Sequence, residues 1–516
     1  MRYFSTGGFG FAFICLLPII RASPPIVDIG YATYQGVFNS SSNTTNFLGI
    51  RYAAPPVGPA PPLKTPSIQI ADTPPISCPT AGEGTSASSP FRGLSRRELA
   101  PTEDCLFLSV FVSGIIDPLA KMPVVFWIHG GGYVSDDGTG MSGDDLVKEA
   151  GGGIIAVTLE YRLGIFVFLP GREVKQKGTL NAGLLDQQFA LRWIQQYINL
   201  FGGDPSQVTI WGESAGAGSV IQHLVAHGGA TQPPLFHAAL TSSTFLPSQY
   251  NFDDPVPEKL YSRVVQLTGR VQADFDGLEN ANIVVNEEGF FGTFVTVPVV
   301  DGEFIVERPV RTISRGKLNG DVLLSVTNTF EGLLFVSETL TANQTITDYI
   351  VQLMPQFDET QIQQAANVYT GVGLDTVLDQ AIAIMGESIF ICPTYLILNA
   401  FPGSSYKGEF AVPPGVHLED LQFYFPEITT TSLNNPEFSA SFAGAFMAIV
   451  RSSDPNVHPP VPGIITPHWD SYSLGQTEML FNMTEGSQPI IKPITTDPAL
   501  LQRCEFWKSM AASIPQ

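Results

Sequence analysis

Several apolar runs in this chain end abruptly in glycine or polar residues: MPVVFWIHGGG (122–132), GGGIIAVTLEYRLG (151–164), VTIWGES (208–214) and DVLLSVTN (321–328). Their apolar character is continuous rather than alternating, which predicts strands buried on both faces, as in a parallel sheet. Between two of them lies NAGLLDQQFALRWIQQYINLFGGD (181–204), where Leu184, Leu191, Ile194, Ile198 and Phe201 recur at helical spacing. Gly202 and Gly203 stop that helix. A strand at Val208 to Trp211 follows, and after Ser214 a second helix is expected to run to about His227. This alternation of strand and helix predicts a doubly wound α/β sheet, mostly parallel and flanked by helices. No composition break or internal repeat divides the chain, so one large domain is expected rather than several.

Composition narrows the function. The 516 residues are 44% hydrophobic and 14% charged, enough apolar surface for a large core. The formal charge of −22 argues against nucleic-acid partners, which want a basic face.

The N-terminus reads as a secretory leader over residues 1–22. Arg2 is its positive region, Gly8 to Ile20 its apolar core, and Ala22 and Ser23 offer small residues for a cut after Ala22. The alternative, a membrane anchor, needs a longer apolar core. No later stretch is expected to be long and apolar enough to span a membrane, and residues 23–516 form the mature domain. Of the 5 cysteines, Cys15 leaves with the leader. Cys78, Cys105, Cys392 and Cys504 remain, an even set that suggests two disulfides with three possible pairings. Sequons at Asn39, Asn43, Asn343 and Asn482 are glycosylation candidates on a secreted chain.

The chemistry begins at Gly212-Glu213-Ser214-Ala215-Gly216, which has the form G-x-S-x-G between a strand and a helix. A sharp turn there would expose the Ser214 hydroxyl at the carboxyl end of the sheet. The bland alternative is a packing site for small residues. Upstream, His129-Gly130-Gly131-Gly132-Tyr133 follows a strand, and the N–H groups of Gly131, Gly132 and Ala215 would suit a three-donor oxyanion hole. A phosphate loop is disfavoured, because no lysine follows. Seven histidines offer a base. His223 and His227 lie four apart but lack the glutamate of a zinc motif, and His237 sits in an apolar run. No metal or other cofactor is expected. His417, His458 and His468 all lie after the serine in the order such hydrolases require, and spacing does not choose among them.

Longer stretches carry a resemblance. GIRYAAPPVG, TEDCLFLSVFV, HGGGY, EYRLGIFVFL, the block from Asn181 to Ser219, GVHLEDLQFYF, VRSSDPN and CEFW resemble the type-B carboxylesterase/lipase family, over about residues 25–510. The family includes cholinesterases and fungal secreted lipases, and the resemblance implies an α/β-hydrolase fold and ester hydrolysis through an acyl-enzyme. By it, Ser214 matches the nucleophile, His417 the general base and Glu331 the acid that orients the base. The acid's usual context is N-x-D-E-G, and here Phe330 replaces the aspartate. Glu213 and Ser242 match positions just behind the triad. The resemblance pairs Cys78 with Cys105 and Cys392 with Cys504, and implies buried ion pairs of Arg51 with Glu103 and of Arg162 with Asp186. A third, short-loop disulfide common in the family has no cysteines here.

The expected partner is a small-molecule or lipid ester. The Cys78–Cys105 loop has no tryptophan and one aromatic, Phe91, so it offers no cage for a quaternary ammonium. Its polar, Gly/Ser-rich sequence favours an esterase over an interfacial lipase. Phe290, Phe291 and Phe294 would suit either an apolar acyl pocket or plain core packing. A non-catalytic binding protein of the same fold is the rival from another class, disfavoured because Ser214, Glu331, His417 and the glycines are all present.

Overall fold

The structure is a computed structural model that describes residues 24–55, 61–84, 102–138, 140–269, 275–342, 344–426, 428 and 435–511. The leader at 1–22, the sequon at Asn343 and Phe91, with most of the Cys78–Cys105 loop, lie outside the described residues.

Three short strands, β1 (Ile26–Asp28), β2 (Thr33–Gln35) and β5 (Ile68–Ile70), form a small sheet near the N-terminus. The other strands are β3 (Val37–Asn39), β4 (Thr44–Arg51), β6 (Phe107–Ser113), β7 (Met122–Ile128), β8 (Ile155–Leu159), β9 (Gly203–Glu213), β10 (Ala238–Ser242), β11 (Val322–Asn328), β12 (Ser404–Phe410), β13 (Thr477–Met483) and β14 (Pro489–Thr495). They build one 11-stranded sheet in the order β14-β13-β12-β11-β10-β9-β7-β8-β6-β4-β3. From β13 to β8 every neighbouring pair is parallel. The rims, β14 on one side and β6, β4 and β3 on the other, are antiparallel.

Alternation along each strand explains why the apolar runs are continuous. On β7, Val124, Phe126 and Ile128 enter the core on one face of the sheet, while Val125 and Trp127 enter the core on the other. On β9, Val208 and Ile210 face the first core and Trp211 the second. Helices cover both faces, so strand positions on either side favour apolar residues. Burying each such side chain contributes about 1.5–3 kcal/mol.

The expected helix after 181 spans Ala182–Tyr197, tightens into a 3₁₀ turn at Ile198–Phe201 and ends at Gly202, whose φ of 91° only glycine adopts easily. The predicted strand at Val208 to Trp211 is longer, the whole of β9. The helix after Ser214 spans Ala215–Gly229, but Ala226, His227 and Gly228 break from helical geometry within it.

Two disulfides join Cys78 to Cys105 and Cys392 to Cys504, with Cα atoms 5.1 and 4.9 Å apart. Arg162 grips the buried Asp186 through two hydrogen bonds of 2.7 and 2.6 Å, as expected. The other ion pair differs from expectation. Arg51 pairs bidentately with Asp104, not Glu103, at 2.5 and 2.8 Å, and both side chains are partly exposed. The chain bends at Glu103, and of the two acids only Asp104 faces Arg51.

One expectation about spans needs correction. Among the described residues, Val377–Ala400 is long and apolar enough to cross a membrane, yet 78% of its apolar window is buried inside the protein. It is a core helix that meets a composition test.

Candidate active site

The parallel strands end together at the carboxyl edge of the sheet, and the residues singled out from the sequence converge there. Ser214 directly follows β9, with φ of 54° and ψ of −122°, a backbone conformation that costs a non-glycine residue about 1–3 kcal/mol. Its N–H donates to the Ser242 carbonyl at 3.0 Å, and its own carbonyl accepts from Gly218 at 2.8 Å. The flanking glycines are a steric requirement. A Cβ on Gly216 would stand 2.0 Å from the Ile128 carbonyl oxygen, and one on Gly212 would stand 2.3 Å from the Gly216 carbonyl carbon.

The loop after β7 comes back beside this turn. A Cβ on Gly130 would meet the Glu213 carbonyl at 2.8 Å and the Ser214 Cβ at 3.1 Å. Gly131, Gly132 and Tyr133 all have positive φ, at 86°, 64° and 66°. Val134 and Ser135 close the loop by donating to the Gly131 carbonyl. Among the described residues, the N–H groups of Gly131, Gly132 and Ala215 donate to no partner, which leaves three backbone donors in this corner.

Glu331 and His417 reach the same edge from β11 and from the segment after β12. His417 Nδ1 lies 2.6 Å from Glu331 Oε2, while Glu331 Oε1 accepts the Asn328 N–H at 2.7 Å. Both residues are buried. Phe330, which replaces the expected aspartate, is 52% exposed and turns away from this pair. His417 Nε2 makes no hydrogen bond and lies 3.3 Å from Glu213 Oε1, itself without a partner. The two alternative histidines are elsewhere: His458 is exposed, and His468 is 73% exposed beside Asp470. His237 has the satisfied packing role expected of it, bonded to the Val208 carbonyl and Ser453. His223 is buried against Gln187, and burial lowers its pKa to about 3.

Two carboxyl groups stand behind the pair. Burial, then the nearby Asp420 and Glu331, raise Glu213 well above the ordinary carboxylate range. Asp420 accepts from Asn328 Nδ2 at 3.1 Å and from the Tyr424 hydroxyl at 2.9 Å, and burial raises it to about 6. Ser242 lies opposite Glu213 in the β9–β10 register, and its hydroxyl accepts the Trp211 Nε1 proton at 3.2 Å.

Aromatic rings complete the surroundings. Phe335 and Phe390 flank the His417 ring at 5.0 and 4.8 Å, and Phe294 lies so close to Gly132 that a Cβ there would stand 2.1 Å from its ring. Phe245 joins Phe294 to Phe390, at 5.9 and 5.5 Å. Of the three phenylalanines noted in the sequence, only Phe294 is in this group, and Phe290 packs on Tyr349 instead. Sequence reading missed Phe245, Phe335, Phe390, Asn328 and Asp420. The one local signal was Asp420 itself, three residues after His417.

The model of the carboxylesterase family matches residues 23–507. The chain belongs to the carboxylesterase family. This esterase is similar to the carboxylesterase patB of Aspergillus clavatus, 29% identical over 560 aligned residues that cover 96% of this chain and 98% of the relative. It is similar to a secreted lipase of Arthroderma benhamiae, 26% identical over 81% of this chain and 85% of the relative. Its fold matches the crystal structure of Aspergillus niger EstA with a TM-score of 0.82, at 26% identity over 96% of this chain and 99% of that one. The chain is a carboxylic ester hydrolase with an α/β-hydrolase fold.

Proposed function

We propose that this esterase cleaves carboxylic esters through an acyl-enzyme on Ser214, with His417 as general base and acid and Glu331 as the group that orients it. The observation that carries this reading is the buried 2.6 Å pair of Glu331 and His417 beside the strained Ser214 turn. In that pair Nδ1 is the bonded nitrogen, and Nε2 makes no hydrogen bond, with Glu213 Oε1 3.3 Å away. Nε2 takes the Ser214 proton as Oγ attacks the ester carbonyl, and the leaving alcohol takes that proton as the tetrahedral intermediate collapses. Water repeats the attack on the acyl-enzyme. The N–H groups of Gly131, Gly132 and Ala215 hold the oxyanion in each step, each contributing about 3–4 kcal/mol. As a general base, His417 takes the proton in its neutral form.

The rings of Phe245, Phe294, Phe335 and Phe390 suit a short or medium apolar acyl group. The leader sequence and two disulfides support a secreted enzyme. Among the described sequons, Asn43 is the one proposed to carry glycan: it is exposed in a turn, whereas the Asn39 amide is bonded to Asp144 and Asn482 lies within β13.

The test is hydrolysis of p-nitrophenyl esters from acetate to palmitate, by wild type and Ser214→Ala, on both sides of each solubility limit. Wild-type turnover of short chains, lost by at least about 10⁴-fold in Ser214→Ala, supports the reading. A jump in rate past the solubility limit of long chains would make the enzyme an interfacial lipase. Full turnover in Ser214→Ala would remove Ser214 from the mechanism.

A further inference from the structure

Tyr133 follows directly after Gly132, and its backbone is left-handed with φ of 66°. A tyrosine pays a steric cost there that a glycine does not, so something about its side chain must hold it. The ring is completely buried between Phe168, at 5.1 Å, and Phe245, at 6.0 Å. Its carbonyl accepts the Gly164 N–H at 2.8 Å, which ties the loop to the segment after β8.

The hydroxyl reaches the helix that begins at Ser214. A Cβ on Gly218 would stand 2.6 Å from the Tyr133 hydroxyl and 2.6 Å from the Phe245 carbonyl oxygen. Gly218 is one helical turn after Ser214 and donates its N–H to the Ser214 carbonyl. The side chain of Tyr133 therefore spans from the glycine loop to the same turn of helix that carries Ser214 and Ala215.

We infer that Tyr133 is a positioning residue for the oxyanion site: the length of its side chain, seated on the bare backbone at Gly218, sets the separation between the N–H groups of Gly131 and Gly132 and that of Ala215. A shorter side chain lets the loop settle toward the helix, and a bulkier residue at 218 pushes the two apart. Either change misplaces donors that act only on the oxyanion, so it is felt in the transition state more than in substrate binding. The inference rests on the Ser214 reading above.

The experiment uses the full chain and two readouts. One is the kcat and KM for p-nitrophenyl butyrate. The other is inhibition by an alkyl trifluoromethyl ketone, whose carbonyl carbon bonds to Ser214 Oγ while the serine proton passes to His417 and the ketone oxygen becomes the oxyanion. Tyr133→Leu is expected to lower kcat by about 10- to 100-fold and weaken the ketone by a similar factor, with KM within about threefold. Gly218→Ala is expected to lose about tenfold in kcat, and adding Tyr133→Phe to it should recover about threefold by removing one of the two atoms that the new Cβ meets, the Phe245 carbonyl oxygen remaining. Phe442→Leu, in the core on the other face of the sheet, controls for lost stability: it lowers Tm and leaves kcat alone.

Wild-type kcat and ketone affinity in Tyr133→Leu overturn the inference. A fall in Tm with an unchanged ratio of ketone to substrate affinity does so as well. Where Tyr133→Leu fails to fold, the Gly218→Ala pair decides, and absence of recovery overturns the inference. Ser214→Ala separates the two levels. If it keeps turnover, the Ser214 reading fails; if it loses turnover while the Tyr133 variants behave as wild type, only the role of Tyr133 fails.

Discussion

Two groups of aromatic rings lie against this sheet, and they differ in what they touch. On the face covered by the helix Pro436–Ser452, Trp127, Trp211, Tyr424, Phe442 and Phe446 pack ring on ring, with Trp211 to Phe446 at 4.6 Å and Trp127 to Trp211 at 5.0 Å. Apart from hydrogen bonds at their polar tips, their neighbours are other apolar side chains. Beyond the strand ends, Phe335 and Phe390 pack on the imidazole of His417, and Phe294 packs on the bare backbone of Gly132. The first group stores stability, because each ring removed leaves a cavity. The second surrounds unpaired donors, an unpartnered imidazole nitrogen and three buried carboxyls, which is a poor way to build a core and a good way to exclude water from a reaction. Side chains of the same type thus serve the fold in one place and line the proposed site in the other.

Substitutions can break this division. The largest effect is expected at Glu331→Gln, which keeps the shape of the acid but no longer orients the His417 tautomer. Turnover should fall by about 10³- to 10⁴-fold while Tm changes little, measured by ester hydrolysis and calorimetry. Phe442→Ala should do the reverse. It should lower stability by about 3–5 kcal/mol in denaturant unfolding, with the kcat of the remaining folded enzyme unchanged. Comparable losses of kcat and stability in both variants would abolish the distinction.

A smaller effect is expected at Asp420, where the two regions meet through Tyr424. Burial raises its folded pKa to about 6, above the ordinary value of 3.8. The folded state therefore holds a proton that the unfolded state has released, and Asp420 costs stability progressively as pH rises from about 4 to about 6. Asp420→Asn removes that dependence. The Tm of the variant relative to wild type should therefore rise by roughly 3 °C between pH 4.5 and pH 7. A difference independent of pH would mean that Asp420 ionises normally. The smallest effect is expected at Asp104→Asn. The Arg51–Asp104 pair is partly exposed, so the loss should be no more than about 1 kcal/mol, shrinking further in high salt.

The strands, the long helix after residue 181 and the turn at Ser214 were legible in the sequence because each depends on local rules. Continuous apolar runs require two buried faces, and Gly212 and Gly216 are needed wherever a strand turns sharply into a helix. Glu331 and His417 came into view only through the family resemblance. Spacing left His417, His458 and His468 equal, since nothing local separates a buried histidine in GVHLED from an exposed one. Arg51 was assigned the wrong neighbour for a related reason: which of Glu103 and Asp104 faces it depends on the direction of one residue in an irregular segment.

The sequence by itself determined the class of fold, the sharp turn at Ser214 and the glycine loop, all set by interactions among residues near one another in the chain. The tertiary structure alone decided which histidine meets which acid, and that Phe245, Phe294, Phe335 and Phe390, from four separate segments, share one space. Those contacts join residues far apart in sequence, and their geometry is fixed by how the strands of the sheet are ordered and how the loops fold back over their carboxyl ends. The register of neighbouring parallel strands sets Ser242 beside Glu213 and Val326, and carries β11 and β12 two residues further, to Asn328 and Phe410. No local pattern encodes that alignment, because it belongs to the sheet and not to any one strand.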